Sequence, residues 1–524
     1  MHRTSNALAQ AIGIRSIDHR LPREHGGTLR RGRFIGAALL ALAVAASIAG
    51  CAVGPNYKRP SVETPTAYRD APVVVPADSG TVADLPWWKV FGDPVLEGLI
   101  DESLVSSYDM QIVASRVEQA RYAVGTTRAD LFPQFDYRAE ATRGRSINPF
   151  SVDGADTTNL FFAAFQMAWE VDIWGRVRRA TEASLADLLA AEDVQRGVIL
   201  SLVTSVAQAY FELRELDLEL EIAKRTRVSF QETYDLFDRR FRGGVGNKLA
   251  TSRAAAALAN AAASIPQLEQ RILAKENQIC ILVGRNPGPI PRGAVLTEQA
   301  AVPDVSPGLP AELLERRPDV RQAEQNVVAT NALVGVAVGN FLPRVGLGAL
   351  YGGQSSEIED IFNSSSKAWQ IGGGFLGPLF QGGRLYYGYK GSKAAREEAV
   401  LNYKYTVLTA LGEVSDAMTA REKVAQANVE LQKQVVALQE AVRLALTRYD
   451  SGLAGYYEVL DAQQQLFPAE NALARNELAR LVSSVQLYRA LGGGWQAEQE
   501  RHPERYPMRR EALDRIVWGG GEPQ

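Results

Sequence analysis

Histidine is almost missing from the body of this chain: of its four, three fall within the first 25 residues and only His502 lies later. A histidine-based metal centre or a Ser/His/Asp triad is thereby close to excluded. There is no phosphate loop closing on Lys-Ser or Lys-Thr, and no Gly-x-Ser-x-Gly elbow. Excess positive charge is missing too: the formal net charge is -3, which argues against a nucleic-acid binder. The longest apolar run, Phe34 to Ala49, is sixteen residues, shorter than the roughly 20 that a spanning helix needs. Cysteine is limited to Cys51 and Cys280. The pattern predicts a chain that is not an enzyme, uses no metal or other cofactor, and does its work through shape.

Proline is the next absence, and it is confined to one stretch. From Arg384 to about Ser451 none occurs, and a helix of that length spans about 100 Å at ~1.5 Å per residue. Near its far end Val435, Leu438, Val442, Ala445 and Tyr449 step by three and four, the spacing of a coiled coil. Gly452 breaks the helix, and a shorter one returns from about Tyr456 to Leu491. The same phrase occurs earlier. Gly175-Arg176 answers Gly383-Arg384, Arg240 answers Arg448, Gly244 answers Gly452 and Gly284 answers Gly492, all 208 residues apart. Asp109 answers Asp319 and Pro133 answers Pro343 at 210. A spacing held over a hundred residues marks a tandem duplication of helix, extended pair, long helix, turn and helix. Pro266 inside the first returning helix predicts a kink or a split there.

The amino terminus reads as a signal. Arg30, Arg31 and Arg33 precede the short apolar run, and Ile48-Ala49-Gly50-Cys51 resembles the bacterial lipobox. The region ahead of the arginines is long for such a signal, which points to a start nearer Leu29. Removing residues 1–50 takes away seven arginines against two acids and leaves 50 basic and 58 acidic residues. Cys51 is then the lipidated terminus, with an N-acyl chain and an S-diacylglycerol, and no internal disulfide remains possible.

Past Pro133 the periodicity changes from helical to two. Phe165, Met167, Trp169, Val171 and Ile173 alternate with Gln166, Ala168, Glu170 and Asp172, and Phe135, Tyr137 and Ala139 alternate with Asp136, Arg138 and Glu140. In the second copy Val345, Leu347, Ala349 and Tyr351 form one face, and Trp369, Ile371 and Phe375 another. Segments of about ten residues, aromatic on one face and polar on the other, suit a transmembrane barrel with a wet lumen. Gly372-Gly373-Gly374 keeps that interior open or bends the strand. Four strands cannot close a barrel, and an open edge in lipid leaves backbone groups unsatisfied, so the chain must oligomerise as a dimer or larger.

Cys51, Gly54, Pro55, Tyr57 and Pro60, then Trp87-Trp88-Lys89-Val90-Phe91-Gly92-Asp93-Pro94, then Leu313-Leu314-Glu315-Arg316-Arg317-Pro318-Asp319-Val320 with Ala323-Glu324, resemble the outer-membrane-factor lipoproteins, the NodT and OprM branch of the TolC-like efflux channels. The resemblance runs from Cys51 to about Trp495. It implies a mainly helical protomer with four strands, a trimeric 12-stranded barrel continued by a long helical periplasmic tunnel, and a place in the outer membrane of a Gram-negative bacterium. It also implies a periplasmic adaptor (membrane-fusion) protein and an inner-membrane pump of the RND type as partners, with outer-membrane lipid and no nucleic acid. The expected function is a passive exit duct for small molecules, drugs or other toxic compounds, gated at the periplasmic helix tips. The rival expectation is a lipid-anchored structural coiled coil that does not conduct.

The expected division is a lipoprotein signal over 1–50, an extended segment over 51–92, a first repeat over 93–286, a linker over 287–310, a second repeat over 311–494 and a polar tail over 495–524. The first repeat carries strands at about 134–146 and 160–174 and a hairpin over 176–283; the second carries strands at about 343–354 and 367–380 and a hairpin over 384–491. The first helix opens at Asp93-Pro94 and is expected to run to Pro133. Beyond the turns at Gly244 and Gly452, the resemblance carries the role of periplasmic gate to Asp461, Glu458 and Tyr457. A ring of such carboxylates favours cations in a narrow pore. Arg253 occupies the duplicate position of Asp461 and is the expected partner of that acidic ring.

Overall fold

The computed structural model describes residues 52–68, 87–145, 157–299, 310–493 and 495. The lipidation position Cys51 and the expected signal lie outside the described residues. From Ala52 onward the chain is one unit.

The first repeat opens with α1 (Pro94–Ser106) and α2 (Tyr108–Ala129). Asp93 caps α1, accepting from the amides of Val95 and Leu96, with Pro94 at the first helical position. The single helix expected up to Pro133 is instead two. Ser107 leaves helical geometry and caps α2 through the amide of Asp109. The break makes room for Gly284, where a Cβ would stand 2.3 Å from the carbonyl oxygen of Ser106.

β1 (Gln134–Arg145) and β2 (Thr157–Val171) follow, then α3 (Arg176–Arg242) and α4 (Lys248–Val283). β2 stops at Val171, short of the expected 174, because the Asp172 carboxylate turns back to accept from the amides of Val177 and Arg178 and caps α3. Of the kink or split expected at Pro266, there is no split: α4 runs on through it. Its length against α3 outweighs one lost hydrogen bond, and Ser264 Oγ donates to the nearby carbonyl of Ala261.

The second repeat holds the short α5 (Leu313–Arg316), α6 (Pro318–Gly339), β3 (Arg344–Ser355), β4 (Lys367–Leu376), α7 (Arg384–Asp450) and α8 (Tyr456–Ala490). β4 ends four residues before the expected 380, since Gly377-Pro378 cannot continue a ladder. Pro468, like Pro266, sits inside an unbroken helix.

The strands form one antiparallel sheet in the order β1-β2-β3-β4. Its register aligns Tyr137, Phe165, Tyr351 and Trp369 across all four strands, and Met167, Ala349 and Ile371 across the last three. These residues share one face. Tyr137 is 83% exposed and Phe375 78%, so these aromatics are not covered by any of the described residues. The other face carries Asp136, Arg138, Gln166 and Gln370, with Gly346 opposite Gly374 and Gly348 opposite Gly372. A Cβ on Gly346, Gly372 or Gly374 would meet nothing within 4 Å.

The main core gathers around the middle of α3, where Val206, Tyr210 and Phe211 meet Leu96 and Ile100 of α1, Ile279 and Val283 of α4, and Leu481 and Tyr488 of α8. Trp495, which the sequence division assigns to the tail, is buried in the body. The guanidiniums of Arg196 and Arg321 stand 5.3 and 5.2 Å from its ring, and both arginines pair with buried Asp193.

Candidate functional site: the hairpin tips and the amino-terminal strap

Two helical hairpins reach their turns together. Gly244 and Gly452 both take positive φ, 79° and 73°, a conformation that favours glycine. Just inside the turns, Phe237 of α3 is buried against the edges of Tyr449 and Tyr456 from the second hairpin, with ring centroids 5.2 and 6.1 Å away. Ala250 and Ala254 of α4 close the other side of this cluster. The Arg240 guanidinium lies 4.3 Å from the Tyr449 ring and 3.8 Å from the Asp450 carboxylate. A little higher, Gln463 of α8 is buried and joins Thr233 and Ser229 of α3.

The expected gate residues lie beside this cluster. Val459 and Leu460 are buried, which turns their neighbours toward the open side of α8. Tyr457 is 61% exposed. Glu458 stands 3.8 Å from Arg448 of α7, and Asp461 accepts from Gln465 on its own helix at 2.7 Å. Arg253 is exposed and is not brought to Asp461 within the chain. The sequence reading thus did not name the partner that Glu458 has, Arg448. Arg240 and Arg448 are duplicates, and each pairs with an acid near the second hairpin's tip. Among the described residues no group of three His, Cys, Asp or Glu side chains is placed to hold a metal ion.

At the other end of the long helices, the segment following Cys51 is strapped across both repeats. The Val53 amide donates to the carbonyl of Trp174 at 2.9 Å. Arg179 of α3 donates to the carbonyl of Val53 and to Asn56 Oδ1, and Asn331 of α6 donates to the carbonyl of Pro55. Gly54, at φ +95°, packs so closely that a Cβ would lie 2.4 Å from the Gly335 Cα. The Tyr57 hydroxyl and the Arg59 guanidinium both donate to Glu324. Burial, then the charge of Glu324, pushes the Tyr57 hydroxyl well above its ordinary pKa. Two stretches quoted for the family resemblance, one around Gly54-Pro55-Tyr57 and one ending at Glu324, therefore meet in space. The third, through Asp93, supplies a core hub: Asp93 also accepts from the Tyr210 hydroxyl and from Gln299, each at 2.8 Å.

Known proteins match this arrangement over most of its length. The family model described as outer membrane efflux protein matches residues 99–285 and 309–493, one stretch in each repeat. The antibiotic efflux pump outer membrane protein ArpC of Pseudomonas putida is 33% identical over 465 residues, covering 87% of this chain and 96% of the relative. The cation efflux system protein CusC of Escherichia coli is 29% identical, covering 87% and 99%. Among solved structures, the outer-membrane channel OprN superposes with a TM-score of 0.77 at 33% identity, covering 85% of this chain and all of that one.

Proposed function

This chain belongs to the outer membrane efflux protein family; it is an outer-membrane channel of an efflux pump rather than an enzyme, and we propose that it works as a homotrimer gated at its hairpin tips. In that trimer, three four-stranded sheets close one 12-stranded barrel and the long helices continue it as a tunnel into the periplasm of a Gram-negative cell. The observation that carries this reading is the sheet itself: among the described residues β1 and β4 pair on one side only, and one face exposes Phe135, Tyr137, Phe165, Tyr351, Trp369 and Phe375. Free edges and an apolar outer face are satisfied together by closure with further copies in lipid. The polar and glycine-lined face then borders water.

The proposal extends to the partners and the ends. Cys51 carries the lipid that holds the strap at the membrane. A periplasmic adaptor and an inner-membrane pump, of the RND type, supply the energy, and the cargo is small molecules of the kinds named for the relatives: antibiotics or cations. At the tips, Asp461, Glu458 and Tyr457 narrow the entrance, with Arg253 reaching the acidic ring of a neighbouring subunit.

Planar bilayers test this. The wild-type protein is expected to give small resting currents, and Asp461→Ala and Arg253→Ala larger ones. Unchanged currents in both variants would rule out the latch, and no current under any condition would leave the non-conducting coiled coil standing.

A further inference from the structure

About 40 Å above the end of α3, at ~1.5 Å per residue, Glu215 and Glu219 sit one helical turn apart and are almost completely buried, 4% and 3% exposed. Glu219 receives Arg271 of α4 on one oxygen at 3.1 Å and Arg475 of α8 on the other at 2.9 Å. Both arginines are more than half exposed and reach inward from the surface. A single buried anion is thus what the returning helices of the two hairpins both hold. Glu215 lies one turn before Glu219 on the same face of α3, buried and with no ion-pair partner of its own among the described residues, so a second negative charge beside that anion is resisted by burial and by repulsion and a proton on Glu215 is favoured. The charged groups facing Glu215 are Glu219 on its own helix, Arg271 from α4 and Arg475 from α8.

We propose that the proton on Glu215 completes a clasp joining the two hairpins, and that its loss as the pH rises loosens α4 and α8 from α3. Burial first, then the charge of and hydrogen bond to Glu219, raise the Glu215 carboxyl from 4.5 to about 7. A folded-state value above the unfolded one means the stabilisation is complete below 4.5 and is lost as pH climbs through about 7. Deprotonated Glu215 leaves a second buried charge beside Glu219, whose two oxygens already take both arginines. The long helical arms below the clasp turn small freedom there into larger freedom at the tips. The consequence for conductance, though not the clasp, rests on the channel reading above.

Hydrogen exchange in the full-length purified protein tests the clasp directly. After correction for intrinsic rates, protection of the α8 segment around Arg475 is expected to fall about tenfold more between pH 6 and pH 8.5 than in Glu215→Gln. The glutamine donates to Glu219 without titrating, so that variant should keep its low-pH protection throughout. Equal loss in both proteins, or no loss in the wild type, overturns the proposal. If Glu215→Gln does not assemble, Arg475→Gln serves instead: it should be poorly protected at every pH, and a full wild-type pH response in it overturns the clasp equally. In bilayers, resting current should rise across the same pH range in the wild type and not in Glu215→Gln. An exchange response without a current response supports the clasp and counts against gating at the tips.

Discussion

Asp93 joins several parts of the first repeat through one side chain. One carboxylate, buried completely, caps α1 and accepts from Tyr210 and Gln299. Removing it strands a buried hydroxyl and a buried amide as well as the helix amides, and such losses are not recovered from water. Asp93→Ala should destabilise the protein by about 3 kcal/mol, seen as a lowered Tm and a reduced yield of assembled protein, with Asp93→Asn intermediate. Gly54 shows a steric constraint instead. Its positive φ and its contact with Gly335 leave no room for a methyl group, so Gly54→Ala should release the strap. Limited proteolysis within residues 52–60 reports this as faster cleavage, with the helical body intact.

At the scale of elements, the tips depend on one aromatic. Phe237 ties α3 to the last residue pairs of α7 and the first of α8, and truncating a buried phenylalanine costs about 3–5 kcal/mol. Phe237→Ala should therefore leave the sheet and the central core in place while the ends of the hairpins fray. Faster hydrogen exchange confined to residues near 237 and 449–456 would check it. Local signals made these elements legible: glycines at 244 and 452, a proline-free run, and alternation of aromatic and polar residues. What stayed hidden was set from far away in the chain. Ser107 carries no glycine or proline to announce a break; the cause is Gly284, arriving from the end of α4. Pro266 alone does not reveal that the helix continues past it, which packing along α3 decides. The pairing of Glu458 with Arg448 was hidden because helical spacing says which residues share a face and not which partner stands opposite.

For the whole molecule, closure is the governing demand. A protomer whose sheet ends in two unpaired strands and whose outer face is aromatic is unsatisfied alone. The purified protein should run as an oligomer in mild detergent and collapse to the protomer on heating. Disrupting a free edge, for example by Gln370→Pro in β4, should abolish the slow-migrating form on gels while the helical content measured by circular dichroism largely remains. Cys51→Ser tests the anchor separately: channel formation in detergent should persist while retention in the outer membrane falls.

The strap fixes the first repeat's strand-to-helix junction, through Trp174 and Arg179, and runs on over α6. Among the described residues the matching junction at Gly383 receives no such hydrogen bond from it. In the proposed trimer the ring of junctions at this end consequently alternates between braced and unbraced members, so it repeats at every second junction. Strain passing between the sheet and the long helices therefore meets two unlike junctions within one protomer, one tied down by the strap and one left to its own backbone.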